Sequence, residues 1–406
     1  MLFDNKLQLA RIKSAVLQDT KVFLTIHSNE KDFNYQFLVD YFSPPSTTPS
    51  TGPYNPFKLL IRELEFKNVT FRYRDKDVPA VKGRRFDESY MEFREINGRI
   101  TPFLLYGDSL NMDIHNFSFR EKSGFEVKEF TANTIISSSG MDFRELSIKT
   151  PYSKIGDHLK FSYWGYGQLS DFVDSVKWDA HLSKSVVSMK DIAYFSDELI
   201  RYAFPISISG IAKGTLSNLN AKKMDITIGK LNRFRGDMVL KDMTNLDKLN
   251  YNLNVTELFA NPSSIQDLIQ SKFPEELLRI GSIRYTGLLS GGLKDINTRG
   301  IIETTLGNIS TDLRLDFPSE RVIKYKGEIE TFGFNLGKLM NTSTLGNISI
   351  STTVDGSGFN INDLDTKLDG TVRLFDIDGN TFSNIDLDGF FKKKQFKGKL
   401  DIDDPN

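Results

Sequence analysis

The sequence predicts an all-β fold: an elongated antiparallel sheet curled into a groove, with a few short helices at its edge. Three observations predict it. Apolar and polar residues alternate over most of the chain; Gly, Asn and Asp punctuate the runs; and the runs are too many for one flat sheet.

The alternation is clearest from Gly281 to Ile402. Ile283, Tyr285 and Leu289 begin it, followed by Ile302, Thr304 and Leu306, then Ile309, Leu313, Leu315 and Phe317 across a slip in register. Ile348, Ile350, Thr352 and Val354 come next, then Leu368, Val372 and Leu374, then Ile385, Leu387 and Phe391, and last Phe396, Leu400 and Ile402. A period of two sends apolar side chains to one face of a strand and polar ones to the other. Leu306-Gly307-Asn308, Leu345-Gly346-Asn347, Asp355-Gly356 and Asp378-Gly379-Asn380 separate the runs. These residue types accept the positive φ of tight hairpins. An antiparallel meander follows.

Upstream the pattern is the same but less regular. Residues 1–42 read as the first groove strands, through Leu7 and Leu9, Val22 to Ile26, and Phe33 to Val39. Residues 43–56 are a Pro/Ser/Thr-rich flexible loop, since prolines lack donors and small polar residues bury nothing. Strands resume over 57–187, with Leu64 and Phe66, then Val69, Phe71 and Tyr73 after a register shift at Asn68. Residues 188–280 mix strands with short helical insertions, and 281–406 is the regular repeat. Ser188 with Asp191 caps one helix and Asn261-Pro262 a second, which Phe273-Pro274 interrupts; Asn335 to Met340 makes a single turn. Such helices are too small to form a layer. Paired glycines also end strands at Gly210/Gly214, Gly287/Gly291 and Gly356/Gly358, about 70 residues apart, which argues for stacked units.

The totals exclude several function classes. At 406 residues the chain exceeds a single compact core. Its 52 Lys and Arg nearly cancel 53 Asp and Glu, so net charge marks no nucleic-acid footprint. The lack of cysteine removes thiol nucleophiles and thiolate metal sites. His27, His115, His158 and His181 are scattered singly, none at metal spacing. Gly333 to Lys338 is one residue short of a P-loop and lacks its Ser or Thr. Asp376 to Asn380 fails as a calcium loop, because position six is Thr381 and position twelve is Leu387. No catalytic, cofactor-binding or metal-ligating residue is assigned, and no cofactor is expected.

Roughly two dozen strands follow from the pattern, whereas an open sheet rarely exceeds about ten without curling or splitting. At about 4.8 Å per strand, a continuous sheet of that size would run on the order of 100 Å. Curled with its apolar face inward, it becomes a trough lined by Phe, Leu and Ile. Candidates for that lining are Phe66, Phe71, Leu313, Leu315, Leu374, Leu387 and Leu400. A trough suits acyl chains: exposing a tail of about fifteen carbons to water costs roughly 12 kcal/mol, at about 0.8 kcal/mol per CH₂. The same faces could instead pack together in sandwiches, and alternation alone does not separate the two.

Several stretches resemble the TamB family, large AsmA-like translocation and assembly proteins of Gram-negative envelopes, in the form found in Bacteroidetes. They are Asp32-Phe-Asn-Tyr-Gln-Phe-Leu-Val-Asp-Tyr-Phe42, Leu64-Glu-Phe-Lys-Asn-Val-Thr-Phe-Arg-Tyr-Arg-Asp75, Glu121-Lys-Ser-Gly-Phe125 and Leu146-Ser-Ile-Lys-Thr-Pro-Tyr-Ser153. Met189 to Phe195, Gly210 to Leu216 and Gly356 to Leu364 extend the likeness over most of the chain. The resemblance implies a periplasmic β-taco, a rolled sheet with a greasy interior, tied to phospholipid transfer between the membranes and to insertion of outer-membrane β-barrels. It implies three partners: phospholipid acyl chains, the inner membrane through an N-terminal anchor, and an Omp85-type outer-membrane protein through a C-terminal region. Neither docking region is recognised in this sequence. Both ends fall inside a β pattern, so an internal fragment is expected. The leading expectation is thus a non-enzymatic lipid conduit; the alternatives are a scaffold that pairs with unfolded β-strands and a secreted adhesive β-array.

Overall fold

The computed structural model describes residues 2–4, 9–30, 32, 34, 56–81, 83, 85–195, 202, 204–245, 247–319, 322–358 and 362–403. All of the expected strand at Phe33 to Val39 except Asn34, the Pro-rich loop to residue 55 and Leu199 lie outside them. The fold is all-β, an open antiparallel sheet that does not close, with 67% strand against 9% helix. Helix at that level cannot cover a sheet face. The chain divides into two units, Met1–Ser209 and Gly210–Asn406.

The first unit begins with β1 (Leu2–Asp4), β2 (Leu9–Ile12), β3 (Ala15–Gln18), β4 (Lys21–Ile26), β5 (Lys58–Ile61) and β6 (Leu64–Asp75). It continues with β7 (Tyr90–Tyr106), β8 (Ser109–Glu121), β9 (Glu126–Ser137), β10 (Gly140–Lys149), β11 (Lys154–Ser162) and β12 (Lys177–Ser188). From β5 and β6 onward successive strands pair antiparallel. The start departs from the expected meander. β2 runs parallel to β5, and β3 and β4 run parallel to β6. A parallel pair needs a connection of a dozen residues or more, and residues 27–57 are long enough to supply it.

β13 (Pro205–Thr215) lies on the division. The second unit holds β14 (Asn218–Ile228), β15 (Asn232–Lys241), β16 (Asn250–Ala260), β17 (Ile283–Gly291), β18 (Asp295–Thr304) and β19 (Gly307–Ser319). Then come β20 (Val322–Phe332), the short β21 (Phe334–Asn335), β22 (Leu345–Ser357), β23 (Asp365–Ile377), β24 (Asn380–Lys392) and β25 (Gln395–Ile402). Each pairs antiparallel with the next, β20 and β21 both meeting β22. These strands reach 13 residues, longer than the separators imply. Asp378 (φ 47°) and Gly379 (φ 78°) do make the expected hairpin turn. Asp355-Gly356 and Gly346-Asn347 instead lie inside β22, because glycine also serves within a sheet where neighbours crowd its Cβ position.

Five of the seven strands from β6 to β12 contain a bulge. Asn68, Glu95, Asn116, Glu145 and Lys184 have φ between 50° and 53° at points where the ladder slips by one residue, and Lys223 (φ 52°) does the same in β14. The displaced backbone N–H often donates to a side chain on the next strand: Asn68 to Asn97 Oδ1 (2.9 Å), Asn116 to Thr131 Oγ1 (3.2 Å), Lys184 to Ser209 Oγ (3.0 Å) and Lys223 to Asp237 Oδ1 (2.8 Å). Bulges bend a strand and strengthen its twist, so a line of them coils the sheet.

The helices are short, with the expected caps. Ser188 accepts from Lys190 N, Asn261 from Ser264 N and Asn335 from Lys338 N. A 3₁₀ turn and a helical turn spanning Tyr166–Ser175, between β11 and β12, were not apparent from the sequence.

Among the described residues no second layer hides the sheet. A compact protein of this mass exposes about 16,000 Å², and two compact halves about 19,000 Å²; this chain exposes 25179 Å².

Candidate functional site: an apolar sheet face

In the second unit the strand registers line side chains up in rows. Met224, Gly236, Val255, Gly287, Gly300, Thr311, Ile329, Thr352, Gly370, Leu387 and Leu400 stand opposite one another from β14 to β25. Beside them run Ala221, Met238, Leu253, Leu289, Thr298, Leu313, Gly327, Val354, Leu368, Gly389 and Gly398. A third row holds Leu219, Leu240, Tyr251, Gly291, Ile296, Leu315, Tyr325, Gly356, Thr366, Phe391 and Phe396. None of the three rows contains a charged side chain.

The small members of these rows form the floor. Val255, Thr311, Thr352 and Val354 are buried, each beside at least one glycine of its row, while Leu313, Leu315, Phe391 and Phe396 stay half-exposed. The floor threonines bond locally: Thr298 donates to Tyr285 Oη (3.1 Å), and Thr352 to the Asp369 carbonyl (3.1 Å). Their hydroxyls therefore leave no open polar demand on the face. Burial raises the phenol pKa of Tyr285 and Tyr325 above the ordinary value; burial, then the charge of Asp295, does so for Tyr251. These rings stay neutral and desolvated.

The other face is charged. Asp237, Asn254, Leu288, Arg299, Asp312, Glu328, Thr353, Asp369, Asp388 and Lys399 form one of its rows. Ion pairs lace it: Arg299 with Asp312 (2.5 Å), Lys326 with Asp355 (2.8 Å) and Arg233 with Asp225 (2.5 Å). The Arg233 guanidinium holds the Asp225 carboxyl below its usual range, and Arg314 does so for Asp316. A cavity of about 560 Å³ opens here between Arg299, Asp312, Glu328, Glu330 and Asp369. It lies between long solvated side chains and is shaped for no apolar ligand.

In the first unit the corresponding face is built from rings. Phe66 meets Phe117 edge-on at 5.0 Å across Gly98, where a Cβ would lie 2.4 Å from the Phe117 ring. Phe117 stands opposite Phe130, and the string continues through Phe143 (6.3 Å), Phe161 (6.4 Å) and Trp178 (4.9 Å). A parallel string joins Phe71, Phe93 and Phe119. Ile61, Leu64, Ile100 and Ile114 form the buried core beside Phe66. On the outer side of the same strands, burial opposes ionisation of Glu92, but hydrogen bonds from Arg72 (2.7 Å) and Arg94 (2.6 Å) outweigh it and lower its pKa.

The structure brings Phe66 and Phe71 onto one face of the first unit, and Leu313, Leu315, Leu387 and Leu400 onto one face of the second. Leu387 is 9% exposed between β23 and β25; Leu400, on the last strand, is 53% exposed. Leu374 differs. Between Val372 and Phe375 the ladder slips, so Leu374 pairs with Ser349, is 49% exposed, and points to the charged side. Phe375 replaces it against Val372, Ile385 and Leu387. Sequence reasoning missed Phe375 and also Tyr251 and Tyr325, which stand opposite Gly291 and Gly356. A Tyr with Gly at the opposite or next strand position is the signal that could have found the latter.

Two of the scattered histidines meet on the charged side. His158 stands opposite His181, rings 5.5 Å apart, with Asp142 (2.7 Å) and Asp179 (3.0 Å) as their respective partners. Among the described residues no three His, Asp or Glu side chains gather to hold a metal ion, and no helix is long and apolar enough to cross a membrane. No protein family, no curated protein and no solved structure matches the chain.

Proposed function

We propose that the chain is a hydrophobic conduit segment, a non-enzymatic surface along which phospholipid acyl chains move between two membranes. The observation that carries this is the set of uncharged cross-strand rows from β14 to β25, open to one side and backed by a charged face. Exposed apolar surface beyond a few hundred Å² marks an interaction site in soluble proteins. An acyl chain lying on such a face keeps its methylenes out of water, at about 0.8 kcal/mol each. No reactive group is needed. The likeness to TamB-type proteins stated above is consistent with this reading and extends it to a periplasmic setting, with membrane and outer-membrane partners engaged through other regions.

The test is native mass spectrometry of the purified chain with organic extraction. Co-purified or incorporated phospholipid is expected, and Leu313→Asp should reduce it. A lipid-free protein that takes up none from vesicles ends the reading. Bound peptide in place of lipid would favour a strand-pairing scaffold, for which the exposed strand β25 is the observation.

A further inference from the structure

The apolar face of the first unit leads into a half-open cavity. Beyond Phe71 and Phe93 the next inward pair is Tyr73 and Met91, which stand opposite each other on β6 and β7. They form one wall of a cavity of about 1040 Å³, completed by Val78, Val81, Phe86 and Phe195. Leu169 lines it too, and Leu169 belongs to the Tyr166–Ser175 insertion between β11 and β12. Three residues on, Phe172 packs at 5.6 Å against both Phe161 and Trp178 of the inward ring string. The insertion therefore crosses the apolar face from β11 and β12 toward β6 and β7.

We infer that this cavity holds one hydrocarbon chain of an amphiphile, with the Tyr166–Ser175 insertion as its cover. The inference rests on the conduit reading for its ligand class, but on a separate place in the molecule. Three features argue for hydrocarbon. The volume is at the upper end of the about 300–1,000 Å³ typical of small-ligand sites, room for a folded or extended chain. Most of the wall is aliphatic or aromatic, with Met91 supplying an adaptable thioether. The buried carboxylate in it, Asp87, already accepts from Val81 N (2.8 Å), Ser89 N (3.0 Å) and Ser89 Oγ (2.7 Å), so no buried acceptor calls for a polar ligand. Asp75, Arg85 and Glu88 keep polar groups at the same lining, where a headgroup would sit. At the base of the cover Gly165 (φ 131°) follows Trp164, whose side chain is 90% exposed while its backbone N–H donates to Gln168 Oε1 (2.5 Å), and Tyr166 packs on buried Tyr163 at 6.0 Å.

A diazirine-bearing C16 fatty acid, and separately vesicles of a diacyl phosphatidylglycerol carrying the same tail, provide the test on the full chain. After photolysis, label should map to peptides containing Tyr73, Met91 and Leu169. Met91→Trp, which fills the space, should lower that labelling about tenfold, whereas Met91→Leu should leave it near the parent level. Thermal melting of both variants distinguishes loss of the cavity from loss of the fold; if Met91→Trp unfolds, Leu169→Trp fills the space from the cover side. Labelling from the free acid alone restricts the ligand to single-chain amphiphiles, and labelling from vesicles extends it to diacyl lipids. Label confined to β14–β25 overturns this inference while sparing the conduit, and label here but not there does the reverse. Equal labelling of the parent and both filled variants also overturns it.

Discussion

The two units reach a one-sided sheet by different means. In the first, interlocking rings stand on the inner face and bulges in five of the seven strands β6 to β12 bend it; in the second, small floor residues lie among half-exposed Leu, Ile and Tyr. Edge-on ring pairs add about 0.5–1.5 kcal/mol each beyond area burial, but they project unevenly. Rows of Gly, Thr and Val leave a smoother floor. The comparison teaches that a ring-lined face favours holding a ligand in one place and an aliphatic floor favours letting it slide, which fits a cavity in the first unit and continuous rows in the second.

The largest expected effect tests whether the rows are closed or open. Leu387→Asp places a charge at a 9% exposed position, and a loss of about 3 kcal/mol or more in urea unfolding is expected. Leu374→Asp, two residues from buried Val372 but turned outward by the bulge, should change stability by less than about 0.5 kcal/mol. Equal losses would break the face assignment.

Next in size is the glycine crowding. Gly287 has φ 148°, and a Cβ there would sit 2.3 Å from the Arg299 carbonyl; Gly98, φ 147°, meets the Phe117 ring at 2.4 Å. Valine at Gly287 should cost about 3 kcal/mol. At Gly98 the clash is with a side chain as well as backbone, so pairing the valine with Phe117→Ala should restore part of the loss in a thermal melt. No restoration would show that backbone strain alone governs both units.

Glu92 sharpens the contrast on the outer side. Its folded pKa is depressed, so its contribution is complete above the ordinary glutamate value of 4.5 and is lost as pH falls through the lower folded value. Glu92→Gln should remove about 2 kcal/mol at pH 7 and flatten the acid limb of the stability profile. A parent profile already flat below pH 4.5 contradicts the assignment.

Smallest is the exposed pairing of the second unit. Arg299 and Asp312 are 73% and 51% exposed, so Asp312→Asn should alter unfolding by under about 0.5 kcal/mol, less still at high salt. A larger effect would mean that this face is covered.

Much of this was legible in the residues. Alternation is a local property: once a segment is a strand, side chains two apart share a face, and the greasy and charged sides of β17 to β25 follow. Bulges also leave a trace where two polar residues interrupt the alternation, as Lys67-Asn68, Arg94-Glu95, Arg144-Glu145 and Lys222-Lys223 do. At Val372-Arg373-Leu374-Phe375 the second intervening residue is apolar, so the trace vanishes and Leu374 is read onto the wrong face.

The sequence by itself thus determined the strand class, the turn at Asp378-Gly379 and the composition of each face, because these depend on neighbours along the chain. Only the tertiary structure decided the parallel start, the side on which Leu374 lies and the path of the Tyr166–Ser175 insertion across the rings. Each of these depends on which distant strand supplies the next backbone partner, and a single extra residue in a ladder reverses everything that follows it.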